Sequence, residues 1–255
     1  MSVAGIQVSS IRPYLQTPED VRSSFEKLAA TGCKMVQLQW ISMDVPVEFI
    51  AQILKDTGMV SVSTQDFYQV VTENLSYFLK LNEYCGSTHL CVSGIPEEYM
   101  TAEGCRRFGE ELTRFAGQLA KEGMVLSFHP RTQEYRLLDG RPAMEILLEN
   151  TPDDICLGLD LYHVINSGQD PVAWINRYQH RIDFVHFKDK TVLPDGTTKL
   201  CPIGQGVTDW APVVRACLEA DIPWAFAEQE SWQKDAFVCM DENFQWMLKQ
   251  GFTAR

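Results

Sequence analysis

The sequence predicts a single α/β domain spanning residues 1–255, closed as an eight-stranded (β/α)8, or TIM, barrel. Three observations predict it. Eight short apolar runs alternate with segments of helix length, which is the pattern of repeated β-α units. The runs are apolar almost throughout, as expected of parallel strands covered on both faces. The turn after the first run, "SSIRPYLQ", has no glycine, whereas a doubly wound open sheet usually carries a glycine-rich phosphate turn there. A length of 255 residues with 45% hydrophobic content suits one large barrel core, and no linker or low-complexity tract divides it.

Each element follows in order. Run 3–8 (VAGIQV) is the first strand; the helix at 18–31 opens at Thr17-Pro18-Glu19-Asp20, an N-cap, a proline at the first helical position and acids in the first turn. Gly32 ends it, and strand 34–40 (KMVQLQW) follows. Gly58 closes the next helix before strand 59–64 (MVSVST), and Gly86 the one before strand 88–93 (THLCVS). Apolar residues at three- and four-residue spacing mark the helix 102–121, which Gly123 terminates ahead of strand 124–129 (MVLSFH). Strand 155–160 (ICLGLD) precedes a short helix opened by Asp170-Pro171, and strand 182–187 (IDFVHF) comes next. Strand 223–228 (PWAFAE) and the helix 235–249 complete the chain. The expected count is eight strands and eight helices in strict alternation.

A net charge of −12 argues against nucleic acid or an anionic membrane as partner, since both need clustered Lys and Arg. The eight cysteines are dispersed without a C-x-x-C pair, several within apolar runs, so they are expected as reduced, buried thiols. The start "MSVAGIQVSS" lacks the basic and apolar regions of a secretory signal, and no apolar stretch reaches the about 20 residues of a membrane helix. A cytoplasmic protein is expected, with a small carbohydrate as partner, room for a homo-oligomer, and neither nucleic acid nor membrane.

A barrel gathers its chemistry at the C-terminal ends of its strands. There the fifth strand offers His129, then Arg131 and Glu134; the sixth Asp160, with His163 three residues on; the seventh His186, Lys188 and Asp189; the eighth Glu228 and Glu230. Asp160, His186 and Glu228 thus project from three successive strands toward one point. Oxygen donors with a single imidazole suit one divalent ion, Mn²⁺ or Mg²⁺ ahead of Zn²⁺ or Co²⁺. The competing reading makes Asp160 a helix cap, His186 a core histidine and Glu228 an ion-pair partner of Lys188. Arg131 and Lys188 are suited to holding a phosphate.

Weaker signals carry less. "IGQGVTDW" (203–210) lacks the G-x-G-x-x-G spacing and is expected as a turn into the following helix, with Asp209 near its cap. Trp224, Trp232 and Trp246 are expected in the core rather than stacked on a sugar, and no G-x-S-x-G elbow exists.

The stretch "LDLYHVINSGQDPVAWINRYQHRIDFVHFKD" (159–189), with Asp, His three residues later, a Gly-x-Asp-Pro helix start and His-x-Lys-Asp, resembles the xylose-isomerase-like sugar phosphate isomerase/epimerase superfamily. "GIQVSSIR", "IGQGVTDW" and "WAFAEQE" are similar to its first strand and closing elements, so the likeness spans nearly the whole chain. The resemblance implies Asp160, His186 and Glu228 as metal ligands, with His163 and Lys188 lining the substrate site and Lys188 a catalytic group. It implies a fourth ligand from the fifth-strand region, assigned to Glu134 with His129 as second choice. Three positions depart from the family pattern: Gln37 and Gln205 stand where glutamates are frequent, and Glu230 replaces an aspartate.

Chelation of a carbonyl and its neighbouring hydroxyl by such an ion would favour an enediolate, with Glu228 or Glu134 as the base. Epimerisation needs a second acid/base group, a role His129 could take. The expected activity is a metal-dependent isomerase or epimerase of a small sugar, sugar phosphate or keto-polyol. The alternatives are a lyase of inosose-dehydratase type and, disfavoured by five histidines and the negative charge, a nuclease like the abasic-site endonucleases.

Overall fold

The computed structural model describes residues 1–254, and its eight parallel strands close into a barrel. They are β1 (Val3–Gln7), β2 (Met35–Leu38), β3 (Val60–Phe67), β4 (His89–Ser93), β5 (Val125–His129), β6 (Cys156–Asp160), β7 (Ile182–Phe187) and β8 (Trp224–Ala227). Each strand pairs with its neighbour in sequence, and β1 closes against β8 with Val3 opposite Trp224. The (β/α)8 expectation therefore holds for the strands. Among the described residues no helix is long and apolar enough to cross a membrane.

The helix count departs from eight. Among the described residues ten α-helices occur: α1 (Pro18–Ala30), α2 (Val47–Thr57), α3 (Tyr68–Glu73), α4 (Leu75–Cys85), α5 (Ala102–Lys121), α6 (Ala143–Glu149), α7 (Leu161–Asn166), α8 (Pro171–Tyr178), α9 (Ala211–Glu219) and α10 (Ala236–Lys249). Two connections are broken in two, for local reasons. Asn74 leaves helical geometry between α3 and α4 while its amide donates to the Val70 carbonyl at 2.9 Å. Pro171 has no N–H to continue a helix, so α8 restarts with Asp170 as its N-cap.

Strict alternation also fails at the strand ends. A 3₁₀ segment (Val8–Tyr14) follows β1, another (Thr132–Tyr135) follows β5, and an antiparallel ribbon pairs Asp189–Val192 with Thr198–Cys201 after β7. These insertions crowd the C-terminal rim. The cap of α1 is as expected, with Thr17 Oγ1 accepting from Asp20 N at 3.1 Å. Trp246 packs against Phe187 and Trp210 in the layer outside the barrel. All eight cysteines are free thiols, six of them buried.

The interior is filled rather than hollow. Met35, Val62, Cys91, Phe184 and Phe226 form a buried plug across it. Two glycines make room for the rings. A Cβ on Gly158 would lie 2.1 Å from Phe184 Cζ, and one on Gly5 2.9 Å from the Phe226 ring. The plug separates the C-terminal rim from the N-terminal mouth of the barrel.

Candidate active site

Register brings the rim residues together. Asp160 on β6 lies opposite His186 on β7, and His129 ends β5 opposite Ser93 of β4. Glu228 continues β8 by one residue, its N–H donating to the Phe187 carbonyl at 3.0 Å. All four side chains are buried.

One donor atom each from His129, Asp160 and His186 lies within 4.8 Å of the others. His129 Nε2 is 3.2 Å from His186 Nδ1 and 3.5 Å from Asp160 Oδ2. Glu228 Oε2 stands 3.0 Å from the same His186 Nδ1. Gln37 Oε1 accepts from His186 Nε2 at 2.6 Å and from Gln7 Nε2 at 2.8 Å, so the His186 proton sits on Nε2 and Nδ1 is left as a lone pair facing the cluster. Asp160 Oδ1 caps α7 through His163 N at 3.0 Å, while Ser9 Oγ donates to Glu228 Oε1 at 2.7 Å.

The inner oxygens, Asp160 Oδ2 and Glu228 Oε2, have no hydrogen-bond donor although both are buried. Orphaned buried carboxylate oxygens are costly without a cation. Lys188 partly answers them, its Nζ lying 3.4 Å from Asp160 Oδ2 and 3.0 Å from Glu228 Oε2, with Glu230 Oε1 holding it at 2.8 Å. The two readings left open by the sequence are therefore both present in part: Asp160 does cap a helix and Glu228 does pair with Lys188, yet each keeps one oxygen for the centre. Two imidazole nitrogens and two carboxylate oxygens are a donor set that fits a divalent metal.

Electrostatics match this layout. Burial works against charge on Asp160, but neighbouring His163 and the Lys188 ammonium hold it well below the usual carboxylate range, and near pH 7 the ammonium is the cation that does so. Glu228 is likewise held low against burial, by Lys188 and then His186. Burial also opposes the charge on Lys188, yet Glu228, Asp160 and Glu230 keep it firmly protonated. Burial pushes His163 down to about 4 and lowers His186, so both imidazoles are neutral near pH 7. Burial and then the charge of Glu228 raise Glu230.

Glu134 lies outside this group. Its Oε2 accepts from Arg131 N at 2.7 Å and its Oε1 from Ile95 N at 2.8 Å and Gln133 Nε2 at 3.1 Å. Those bonds make it a brace tying the loop after β4 to the 3₁₀ turn after β5. His129 occupies the place at the centre. His163 stands at the edge, its Nε2 3.7 Å from Asp160 Oδ2 and its Nδ1 2.8 Å from Thr132 Oγ1. Its side chain is 20% exposed and that of Glu230 32%, so both reach solvent at the edge of the cluster. Arg131 lies with its guanidinium 5.0 Å over the Phe67 ring and its buried Nε without a partner.

Sequence reasoning overlooked Gln7, Ser9 and Thr132. Gln7 and Ser9 are visible as polar residues at the end of the first strand, in "GIQVSS", but uncharged amide and hydroxyl groups there carry no metal or acid–base signal of their own.

The model of the family described as xylose isomerase-like TIM barrel matches residues 25–247. An inosose dehydratase from Lacticaseibacillus casei is 30% identical over 95 residues, 36% of this chain, and the match spans 30% of that relative's length. A sugar phosphate isomerase/epimerase from Parabacteroides distasonis superposes with a TM-score of 0.81 at 17% identity, covering 100% of this chain and 96% of the other. A protein named IOLI, solved with a bound zinc atom, superposes with a TM-score of 0.75 at 13% identity, over 98% of each chain.

Proposed function

The chain belongs to the xylose isomerase-like TIM barrel family, and from that premise we propose that it is a metal-dependent enzyme that enolises a small sugar, sugar phosphate or keto-polyol, in the first instance an aldose–ketose isomerase. One observation carries the reading: Asp160 Oδ2 and Glu228 Oε2, buried and answered only by the Lys188 ammonium, face His129 Nε2 and the lone pair of His186 Nδ1. These four residues would hold the ion. The preference for Mn²⁺ or Mg²⁺ rested on a single imidazole; with two, Zn²⁺, Co²⁺ and Mn²⁺ are favoured over Mg²⁺. When bound, the ion would polarise a carbonyl together with its neighbouring hydroxyl.

The protein's own groups handle the proton. Glu228 is ionised and anchored by Ser9, and it is the base that takes the proton from the carbon beside the carbonyl. Its basicity is suppressed while Lys188 pairs with it. A substrate oxygen that engages the Lys188 ammonium relieves that pairing and restores the carboxylate as a base. His163, neutral and partly exposed at the edge of the cluster, positions a substrate hydroxyl. Glu134, with both oxygens spent on backbone N–H groups, is poorly placed as a second base. This favours one-base isomerisation over epimerisation.

A second reading is water loss by a lyase of inosose-dehydratase type. It draws support from Lys188, a protonated acid 3.0 Å from the base, which could protonate a departing hydroxyl. Incubating the protein with a panel of ketoses and keto-polyols in D₂O, with Co²⁺ or Mn²⁺ supplied, separates these outcomes by NMR. Deuterium at the carbon beside the carbonyl with a product of equal composition is expected for the isomerase. A product lighter by one water supports the lyase instead, and the absence of both across the panel overturns the enolising reading.

A further inference from the structure

A second cluster of metal-type donors lies at the opposite end of the barrel, where β4, β6 and β7 begin. His89 opens β4, Cys156 opens β6 and Asp183 is the second residue of β7. One donor atom of each is within 4.8 Å of the others, and His89 Nε2 stands 3.9 Å from Asp183 Oδ2. The plug of Met35, Val62, Cys91, Phe184 and Phe226 lies between this cluster and the rim site.

Asp183 reaches the cluster through a break in register. The β6–β7 pairing passes from Leu157 opposite Ile182 to Gly158 opposite Phe184, skipping Asp183. An extra residue of this kind re-aims a side chain, at a cost in ladder regularity. Here it places a carboxylate that is 7% exposed beside Ser127, whose Oγ donates to Asp183 Oδ2 at 2.5 Å. Its Oδ1 has no donor at all. A buried carboxylate with an unpartnered oxygen is a debit that hydrophobic neighbours cannot offset.

We propose that His89, Cys156 and Asp183 form a second cation site, at the N-terminal mouth of the barrel, for a divalent ion of the zinc class. The chemistry of the donors sets the class: one thiolate, one imidazole and one carboxylate suit Zn²⁺ and Co²⁺, whereas Mg²⁺ and Ca²⁺ take oxygen. Thr88 Oγ1 lies 2.9 Å from His89 Nδ1, which engages that nitrogen and leaves Nε2 for the ion. His89 and Cys156 are half-buried, so an ion has a way in from solvent. Burial drives all three groups toward their neutral forms, with the Cys156 thiol pushed up to about 12, Asp183 up to about 7 and His89 down to about 4. A dication supplies the positive charge the pocket lacks, and the thiol releases its proton to solvent on binding. Chemistry in a barrel belongs to the other face, so the role assigned here is to fasten three strands together.

Cobalt titration of the full-length protein is the test, read by absorption. A Co²⁺–thiolate charge-transfer band in the near ultraviolet arises only where a cysteine ligates, and the rim donors are nitrogen and oxygen. The band is expected in the wild type and in Asp160→Ala, and is expected to vanish in Cys156→Ser. His89→Ala provides a second readout: Zn²⁺ should raise Tm in Asp160→Ala but much less in the double variant that adds His89→Ala. Absence of the thiolate band in the wild type, or its persistence in Cys156→Ser, overturns the proposal.

Discussion

Gln37 Oε1 accepts a hydrogen bond from His186 Nε2 at 2.6 Å, and this fixes which nitrogen of His186 faces the centre of the rim site. The amide is itself oriented, because its Oε1 also accepts from Gln7 and its Nε2 donates to Ser63 Oγ at 3.2 Å. Groups of this kind orient a ligand without touching the ion, and their loss typically lowers metal affinity about 10–100-fold. Gln37→Leu should therefore weaken Co²⁺ or Zn²⁺ binding at the rim by about that factor, in a chain that still folds. Calorimetric titration of a Cys156→Ser background isolates the rim ion; unchanged affinity there would remove Gln37 from the account.

His129 and Glu134 respond differently to truncation. His129→Ala should cost most of the rim metal with little change in Tm beyond the lost ion. Glu134→Ala strips partners from the buried N–H groups of Ile95 and Arg131, a loss of about 3 kcal/mol in stability, while metal content stays near that of the wild type. Elemental analysis beside chemical denaturation distinguishes the two, and a Glu134→Ala protein that is stable but metal-free would reverse their roles.

His163 should remain neutral to well below its ordinary titration range. Burial sets its folded pKa at about 4 against 6.5 for the free side chain, so between those values the unfolded chain binds the extra proton. Stability is thus lost as pH falls from about 6.5 toward 4, by up to about 3 kcal/mol from this group. The His163 imidazole resonances, assigned by comparison with His163→Gln in metal-free protein, should show no titration between pH 8 and 5. A midpoint at or above 6.5 would contradict the buried, neutral assignment.

Gly158→Ala tests the packing that closes the barrel floor beneath the site. The added carbon meets Phe184 Cζ at 2.1 Å, and overpacking of this severity costs about 3 kcal/mol or more. Adding Phe184→Leu should recover part of the loss, because the ring is what occupies the space. Equal stability of Gly158→Ala and wild type, measured in urea, would show that the plug is not tightly packed.

Much of this architecture was legible in the chain because strand spacing and caps are local. All eight strand runs overlap the observed strands, and the Thr17 cap sits where its residue type requires. The split of α3 from α4 was hidden because Asn74 breaks an otherwise continuous helical pattern, and a polar residue inside such a pattern gives no warning on its own; α7 is a short helix capped by Asp160 ahead of the one expected at Asp170-Pro171. The structure brings Asp160, His186, Glu228, Lys188 and His163 together because strand ends converge in a barrel.

His129 and Glu134 show where sequence distance misleads. Glu134 is an acid close in sequence to β5, but its side chain turns back onto backbone N–H groups across from β4, a contact that no spacing reveals. His129, at the strand end itself, reaches the centre. Gln37 illustrates the reverse: a departure from the expected glutamate turns out to hold His186 from a strand on the far side of the barrel.

His129, Asp160, His186 and Glu228 are proposed to hold one divalent ion at the rim. Anomalous diffraction from crystals of the full-length protein grown with Co²⁺, collected on both sides of the cobalt edge, tests it directly. The account predicts a strong peak bounded by His129 Nε2, Asp160 Oδ2, His186 Nδ1 and Glu228 Oε2, with the Lys188 ammonium drawn away toward Glu230. A rim without a peak, or an ion ligated by Glu134 with His129 turned aside, would contradict it.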